Sequence, residues 1–165
     1  MTIHRACLFL FLCLCLSVGC SRSKTISTPS GNVTVEENNK SGESAVTIKD
    51  NNGATLTINS AGTKIPDDYP KDVPVASGSK VMMAASVNNS TNNGSNLVLE
   101  CTDNMDKLVS FYKKGLTDNG WKIEATISQD KMTMFTASKD KRALSVHIQE
   151  EEGKSTVTQT VGTKN

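Results

Sequence analysis

Hydrophobic and polar positions alternate along most of this chain, and the period changes once. Val33 and Val35, Val46 and Ile48, Leu56 and Ile58 each put two apolar side chains on one side of a short segment, with Thr, Glu and Lys between them. That pattern predicts three short strands. Asn51-Asn52-Gly53 supplies a hairpin turn between the second and third, because Asn and Gly tolerate positive φ. Val81, Met83, Ala85 and Val87 alternate, a polar loop runs from Asn88 to Gly94, and Leu97, Leu99 and Cys101 alternate again. The period then lengthens: Met105, Leu108, Val109, Tyr112 and Leu116 recur at helical steps, Asp103 is the expected N-cap, and Asn119-Gly120 ends the element.

Strands return with Trp121, Ile123, Ala125 and Ile127. A turn at Gln129-Asp130 would pair Ile127 with Met132 and Ala125 with Met134. A three-residue turn over Lys139 to Lys141 would then pair Met134 with Val146 and keep Leu144, Val146 and Ile148 on the side facing the helix. Val157 and Val161 mark a last strand. The expected fold class is α+β: a single helix packed on an antiparallel sheet in the order β-β-α-β-β-β-β over residues 80–162. A small β meander over residues 33–62 precedes it and is expected to pack against it. In this register Phe135 and Ala137 point away from the helix, and Met82 is out of phase with its neighbours. Phe135 and Met82 are therefore a candidate contact surface. Two alternatives stand beside it: the meander folds over that side, or these are single exposed apolar residues.

Residues 63–79 hold Pro66, Pro70 and Pro74 with Asp67, Asp68 and Asp72 among them, which predicts a stiff extended connection. Ser21 to Asn32 is rich in Ser and Thr, carries Pro29 and Gly31, and reads as a flexible tether. Ahead of it, Met1 to Arg5 form a positive head, Ala6 to Leu16 an apolar run, and Ser17 and Gly19 a small-residue boundary. Residues 1–19 are a secretory signal peptide by this pattern, and the run is shorter than the roughly 20 residues that cross a bilayer core.

Leu16-Ser17-Val18-Gly19-Cys20 resembles a bacterial lipoprotein processing box. The resemblance implies a diacylglyceryl thioether on Cys20, cleavage of the bond before it, and acylation of the freed amine, with residues 20–32 as lipidated cysteine plus tether. Two or three acyl chains hold a protein firmly where one binds marginally. Ser21 follows the cysteine where an inner-membrane retention signal has Asp, so the resemblance implies the outer membrane, facing the periplasm. The alternative is cleavage of the same bond by ordinary signal peptidase, giving a soluble periplasmic or extracellular product.

Charge and cysteine content narrow the picture. The net charge of +1 falls to zero when Arg5 leaves with the leader, so a basic nucleic-acid surface is not expected. Cys7, Cys13 and Cys15 also leave and Cys20 takes lipid, so Cys101 has no partner for an internal disulfide. Its place beside Leu97 and Leu99 reads as a small buried hydrophobe, the alternative being a link between two chains.

Asp67-Asp68-Tyr69-Pro70-Lys71-Asp72-Val73-Pro74, then Phe111-Tyr112-Lys113-Lys114-Gly115-Leu116 and Asn119-Gly120-Trp121, resemble a group of small bacterial lipoproteins with a Tyr-Pro-x-Asp-Val-Pro block and a Phe-Tyr-x-x-x-Leu-x-x-x-Gly-Trp block. The resemblance covers roughly residues 65–161. It implies a fold and a location, and no activity.

Catalytic residues, a metal site and a cofactor are not assigned. His147 is the one histidine beyond the leader and falls opposite Leu144, Val146 and Ile148. Asp67 and Asp68 lie in the proline connection, Glu150 to Glu152 in a turn, and neither cluster is on a rigid element with an apolar shell. The expected function is a non-enzymatic, lipid-anchored envelope protein that contacts the membrane through Cys20 and another envelope protein through its domain. The alternative is a module binding a small apolar ligand or lipid between helix and sheet, and a hydrolase is the weakest reading.

Overall fold

The computed structural model describes residues 22–28, 31–40, 43–59, 64–89 and 93–164. The leader, the processing box Leu16, Ser17, Val18 and Gly19, and Cys20 lie outside the described residues.

Among the described residues, ten strands form one antiparallel sheet, and one helix packs on it. The first six strands are β1 (Arg22–Thr28), β2 (Gly31–Lys40), β3 (Glu43–Lys49), β4 (Thr55–Asn59), β5 (Lys80–Asn88) and β6 (Asn93–Cys101). Helix α1 (Met105–Asp118) follows, then β7 (Lys122–Gln129), β8 (Met132–Lys139), β9 (Arg142–Glu151) and β10 (Lys154–Thr163). The spatial order is β1-β2-β3-β4-β5-β6-β10-β9-β8-β7. Its single jump has a simple cause: α1 carries the chain from the middle of the sheet to its far edge, and three hairpins bring it back until β10 pairs β6.

This corrects the expected fold class. The molecule is sheet-dominated rather than a balanced α+β domain with a separate meander. Strand β4 pairs β5 from Thr55↔Asn88 to Asn59↔Ala84, so the meander extends the main sheet edge to edge. Its backbone donors and acceptors are satisfied by continuation rather than by face-to-face stacking. Residues 22–28, expected within the tether, are likewise a strand, in register with β2 from Arg22↔Glu37 to Thr28↔Gly31. Thr suits a strand because it is β-branched, and Thr25 Oγ1 lies 3.2 Å from Thr34 Oγ1 across the pair. At the β3–β4 turn, Asp50 Oδ1 accepts from the Asn52 and Ala54 amides at 2.9 and 2.8 Å, and Gly53 has φ of 81°.

Helix α1 buries Leu108, Tyr112 and Leu116, four residues apart on one side, at 1% exposure or less. Asn104 rather than Asp103 is its N-cap: Asn104 Oδ1 accepts from the Lys107 amide at 3.1 Å, while Asp103 pairs with the Lys107 ammonium at 3.6 Å. At the other end the Trp121 amide donates to Leu116 O at 2.9 Å and the Gly120 amide to Thr117 O at 3.0 Å, a Schellman closure that needs the positive φ of Gly120.

Two registers differ from expectation and decide what is buried. The turns joining β7 to β8 and β8 to β9 hold two residues each, Asp130-Lys131 and Asp140-Lys141, with φ of 46° at Asp130 and 53° at Asp140. Closing pairs are Gln129↔Met132 and Lys139↔Arg142. The β7–β8 register is displaced by two residues, which keeps Ile127, Met132 and Met134 on one side, while the β8–β9 register is displaced by one, which exchanges the sides of β8 relative to β9. Thr133, Phe135 and Ala137 therefore face the helix, and Met132 and Met134 the other side. In β5 a bulge between Val81 and Met83 turns Val81 and Ala84 inward and Met83 and Val87 outward, with Met82 half-buried between them.

The core lies between α1 and the inner side of β5, β6, β10, β9 and β8. The proline connection closes it, folding as turns (Tyr69 amide to Pro66 O, Val73 amide to Pro70 O) rather than running extended, with Tyr69, Val73 and Ala76 buried.

Candidate binding face of the sheet

The inner side of the sheet is filled and latched. Gln159, with 0% exposure, accepts from Tyr69 Oη at 2.6 Å and donates to Pro74 O at 2.7 Å, so a buried amide joins β10 to the proline connection. Tyr112 Oη sits beside Gln159 and the Ala76 backbone without a well-formed hydrogen bond. Burial pushes both phenols well above their ordinary value. Asp72 receives Arg142 through both guanidinium nitrogens, at 2.9 and 2.5 Å, and Lys139 at 2.6 Å. The Arg142 hydrogen bonds, and then that of Lys139, hold the Asp72 carboxyl well below the usual carboxylate range against the opposing effect of burial. Trp121 Nε1 donates to Asp72 O at 2.9 Å, and the Arg142 guanidinium stacks 4.9 Å from the Trp121 ring. Pro74 packs on Gly115 so closely that a Cβ there would meet it at 3.0 Å. The two sequence blocks thus meet in one structural latch.

The outer side is different. Directly paired residues share a side of an antiparallel sheet, so the registers assign every position. Ile26, Ile58, Met83, Val87 and Ile127 are all on the outer side. They are five of the seven large apolar side chains exposed among the described residues, at 37 to 49%. On the middle strands of this side, near the end where β6 begins and β10 finishes, Gly94 pairs with Gly162, flanked by Val87 opposite Gly94 and Ala143 opposite Gly162. Two adjacent glycines leave a hollow of about 390 Å³, lined by Ala85, Val87, Asn96, Ala143, Ser145 and Thr160 among others. Next to it a cleft of about 310 Å³ shares Gly94 and Gly162 and reaches Asp68 and Arg142 at the end of the sheet. The pair of cavities suits a ligand with an apolar body and a polar end.

The residues singled out from the sequence are scattered. Phe135 is 1% exposed in the core, so it is no contact surface, for the register reason above. Met82 is half-buried in the β5 bulge. His147 is on the outer side, between Met134 and Thr158 in a cross-strand row. Asp67 and Asp68 are exposed in the connection, whereas Glu150 Oε2 accepts from the Met105 amide at 3.3 Å and so caps the positive end of α1. Cys101 is 4% exposed with its sulfur 3.1 Å from Ser79 Oγ; burial pushes the thiol up and the Ser79 hydrogen bond opposes this. A link between chains would need a sulfur that is not enclosed. Among the described residues no group of three or more His, Cys, Asp or Glu could hold a metal ion.

The glycine pair is what sequence reasoning missed. Gly94 and Gly162 are far apart in the chain, and only the β6–β10 pairing makes them neighbours.

Comparison with known families adds one match. Residues 81–156 match the START domain-like family model. The matched segment runs from β5 through α1 into β10 and is just under half of the chain. It fits a ligand-binding module, the second reading open from the sequence. Neither the curated proteins nor the solved structures contain a match. No helix among the described residues is long and apolar enough to cross a membrane.

Proposed function

We propose that this protein is a non-catalytic binding module, carried on a bacterial outer membrane by a lipid on Cys20, whose outer sheet face takes an apolar ligand. The observation that carries the reading is the hollow at Gly94 and Gly162, lined by Ala85, Ala143 and the exposed Val87, with exposed Ile58 paired to Ala85 on the neighbouring strand. Apolar residues scattered singly on a surface are ordinary, while an apolar patch lining a hollow marks a place of contact. The START domain-like match supports ligand binding, and the processing box supports the anchor. The ligand site proposed here differs in place from the one expected between helix and sheet, where Leu108, Tyr112 and Leu116 already fill the space against Leu97, Val146 and Val157.

Of the two residues expected to form a contact surface, Phe135 is enclosed in the core and Met82 is half-buried.

Native mass spectrometry of protein purified gently from membranes tests the ligand. Added mass is expected for the wild type and its loss for Gly94→Leu, since a Cβ at Gly94 meets nothing closer than Val161 O at 3.6 Å and the longer side chain would occupy the hollow. No added mass in either protein, together with no uptake of a fluorescent fatty acid, would refute ligand binding. Intact mass and membrane fractionation beside Cys20→Ser test the anchor independently, with loss of the lipid mass and release from the membrane expected.

A further inference from the structure

The apolar outer surface does not stop at the hollow. From Val87 it continues along one cross-strand row through Leu56, Ile48 and Val35 to Lys24, and along a second from Ala85 through Ile58 to Val46; Ile26 and Val33 form a third pair at the β1 edge. The reverse side of the same strands carries Thr25 with Thr34 and Thr47 with Thr57, hydroxyl beside hydroxyl at 3.2 and 3.5 Å. Strands β1 to β5 are thus hydroxyl-rich on one side and apolar on the other, the apolar rows ending at the β1–β2 edge in Lys24 and in the Glu37–Arg22 pair that follows Val46. Four steps of 4.7 to 4.9 Å make this slab about 20 Å wide.

We infer that the apolar side of β1 to β5 lies flat on the bilayer that holds the lipid of Cys20; the inference rests on lipidation of that cysteine. What selects a bilayer, rather than another occupant, is where the strand begins. Arg22 opens β1 two residues after Cys20, and two residues span at most about 7 Å. The flexible spacer expected from composition is a paired strand instead, so an acylated Cys20 pins the edge of the sheet at the headgroups. A sheet held by its edge at that distance meets the interface with one side or the other, and the apolar side gains by leaving water where the threonine side loses hydration. Lys24 lies on the apolar side at the anchored edge, where its ammonium meets anionic headgroups. The lipid then supplies attachment and the sheet supplies orientation. The hollow at Gly94 and Gly162, on the same side, comes to open against the acyl-chain boundary rather than into the periplasm.

The test uses the full chain, processed and lipidated in its bacterial host, reconstituted into phosphatidylethanolamine–phosphatidylglycerol vesicles. Cys101 is enclosed and Cys20 is acylated, so a new surface thiol is the one an environment-sensitive fluorophore reaches. Ile58→Cys and Thr57→Cys sample the two sides of β4, and Ile26→Cys with Thr25→Cys repeats the pair on β1 should the first pair fold poorly. The expected result is a blue shift and quenching by brominated lipid at Ile58→Cys and Ile26→Cys, with quenching by iodide only at Thr57→Cys and Thr25→Cys. Equal access of iodide to both sides while the lipid mass is present would overturn the docking and leave the anchor standing. Protection of Ile58→Cys and Ile26→Cys from both quenchers would mean a protein surface, such as a second copy, covers the face, and would also overturn it. Absence of the lipid mass would overturn both.

Discussion

The two halves of this sheet obey the same alternation and come to opposite ends. In β5, β6 and β8 to β10 the apolar side chains point at α1 and the proline connection and are enclosed: Leu97, Leu99, Val146, Ile148 and Val157 have 0% exposure. In β1 to β4 the apolar side chains point the other way, where no described element covers them. The apolar side switches faces within β5, at the bulge between Val81 and Met83. The difference teaches that alternation sets how a strand is two-sided, while helix and connection decide which side becomes core. What they leave uncovered is available for binding.

The contrast can be broken hardest from the enclosed half. Tyr112→Ala empties a fully buried site, and a loss of about 3 to 5 kcal/mol in denaturant unfolding is expected. Gln159→Leu should cost about 1 to 3 kcal/mol by the same measurement, because it leaves the Tyr69 hydroxyl and the Pro74 carbonyl unpaired in the core. Asp72→Asn removes charge-assisted bonds to Arg142 and Lys139 at a partly exposed site, for about 1 to 2 kcal/mol at neutral pH.

The sign of the pH dependence follows from the latch. The folded state holds the Asp72 carboxyl below its ordinary value of 3.8, so the unfolded chain takes up the proton first. Its contribution is fully present above the ordinary value and is lost as the pH falls below it toward the depressed folded-state value. Acid unfolding of Asp72→Asn should lack this component, seen as a narrower stability gap from wild type at pH 2 than at pH 7. The smallest effect belongs to the open half: Ile58→Ser should change stability by less than about 0.5 kcal/mol, because its side chain is already 37% exposed. A loss comparable to that of Tyr112→Ala would mean the outer side is enclosed after all.

Parts of this arrangement were legible in the chain. Helix α1 was readable because its apolar spacing, a capping segment and Asn119-Gly120 agree, although the cap is Asn104 and not Asp103. Asn51 to Gly53 announced the β3–β4 turn. Strand β8 was misread because Met132 and Met134 alternate as well as Phe135 and Ala137 do. Only the turn length separates the two, and an aspartate at positive φ makes a two-residue turn where three residues were expected. The continuity of β4 with β5 leaves no local signal either, since residues 60–79 separate them in the chain. The blocks around Tyr69 to Pro74 and Phe111 to Trp121 could be recognised as a resemblance, but their joining through Gln159, Asp72 and Arg142 needs the fold.

One measurement addresses most directly which side of the sheet works. A diazirine-bearing fatty acid, photolysed on the protein and mapped by peptide mass spectrometry, is expected to label outer residues around the hollow, Val87, Asn96, Ala143 and Ser145, and to lose that labelling in Gly94→Leu. Labelling of Leu97, Tyr112 and Val146, with the outer residues untouched, would place the ligand between helix and sheet and contradict the account.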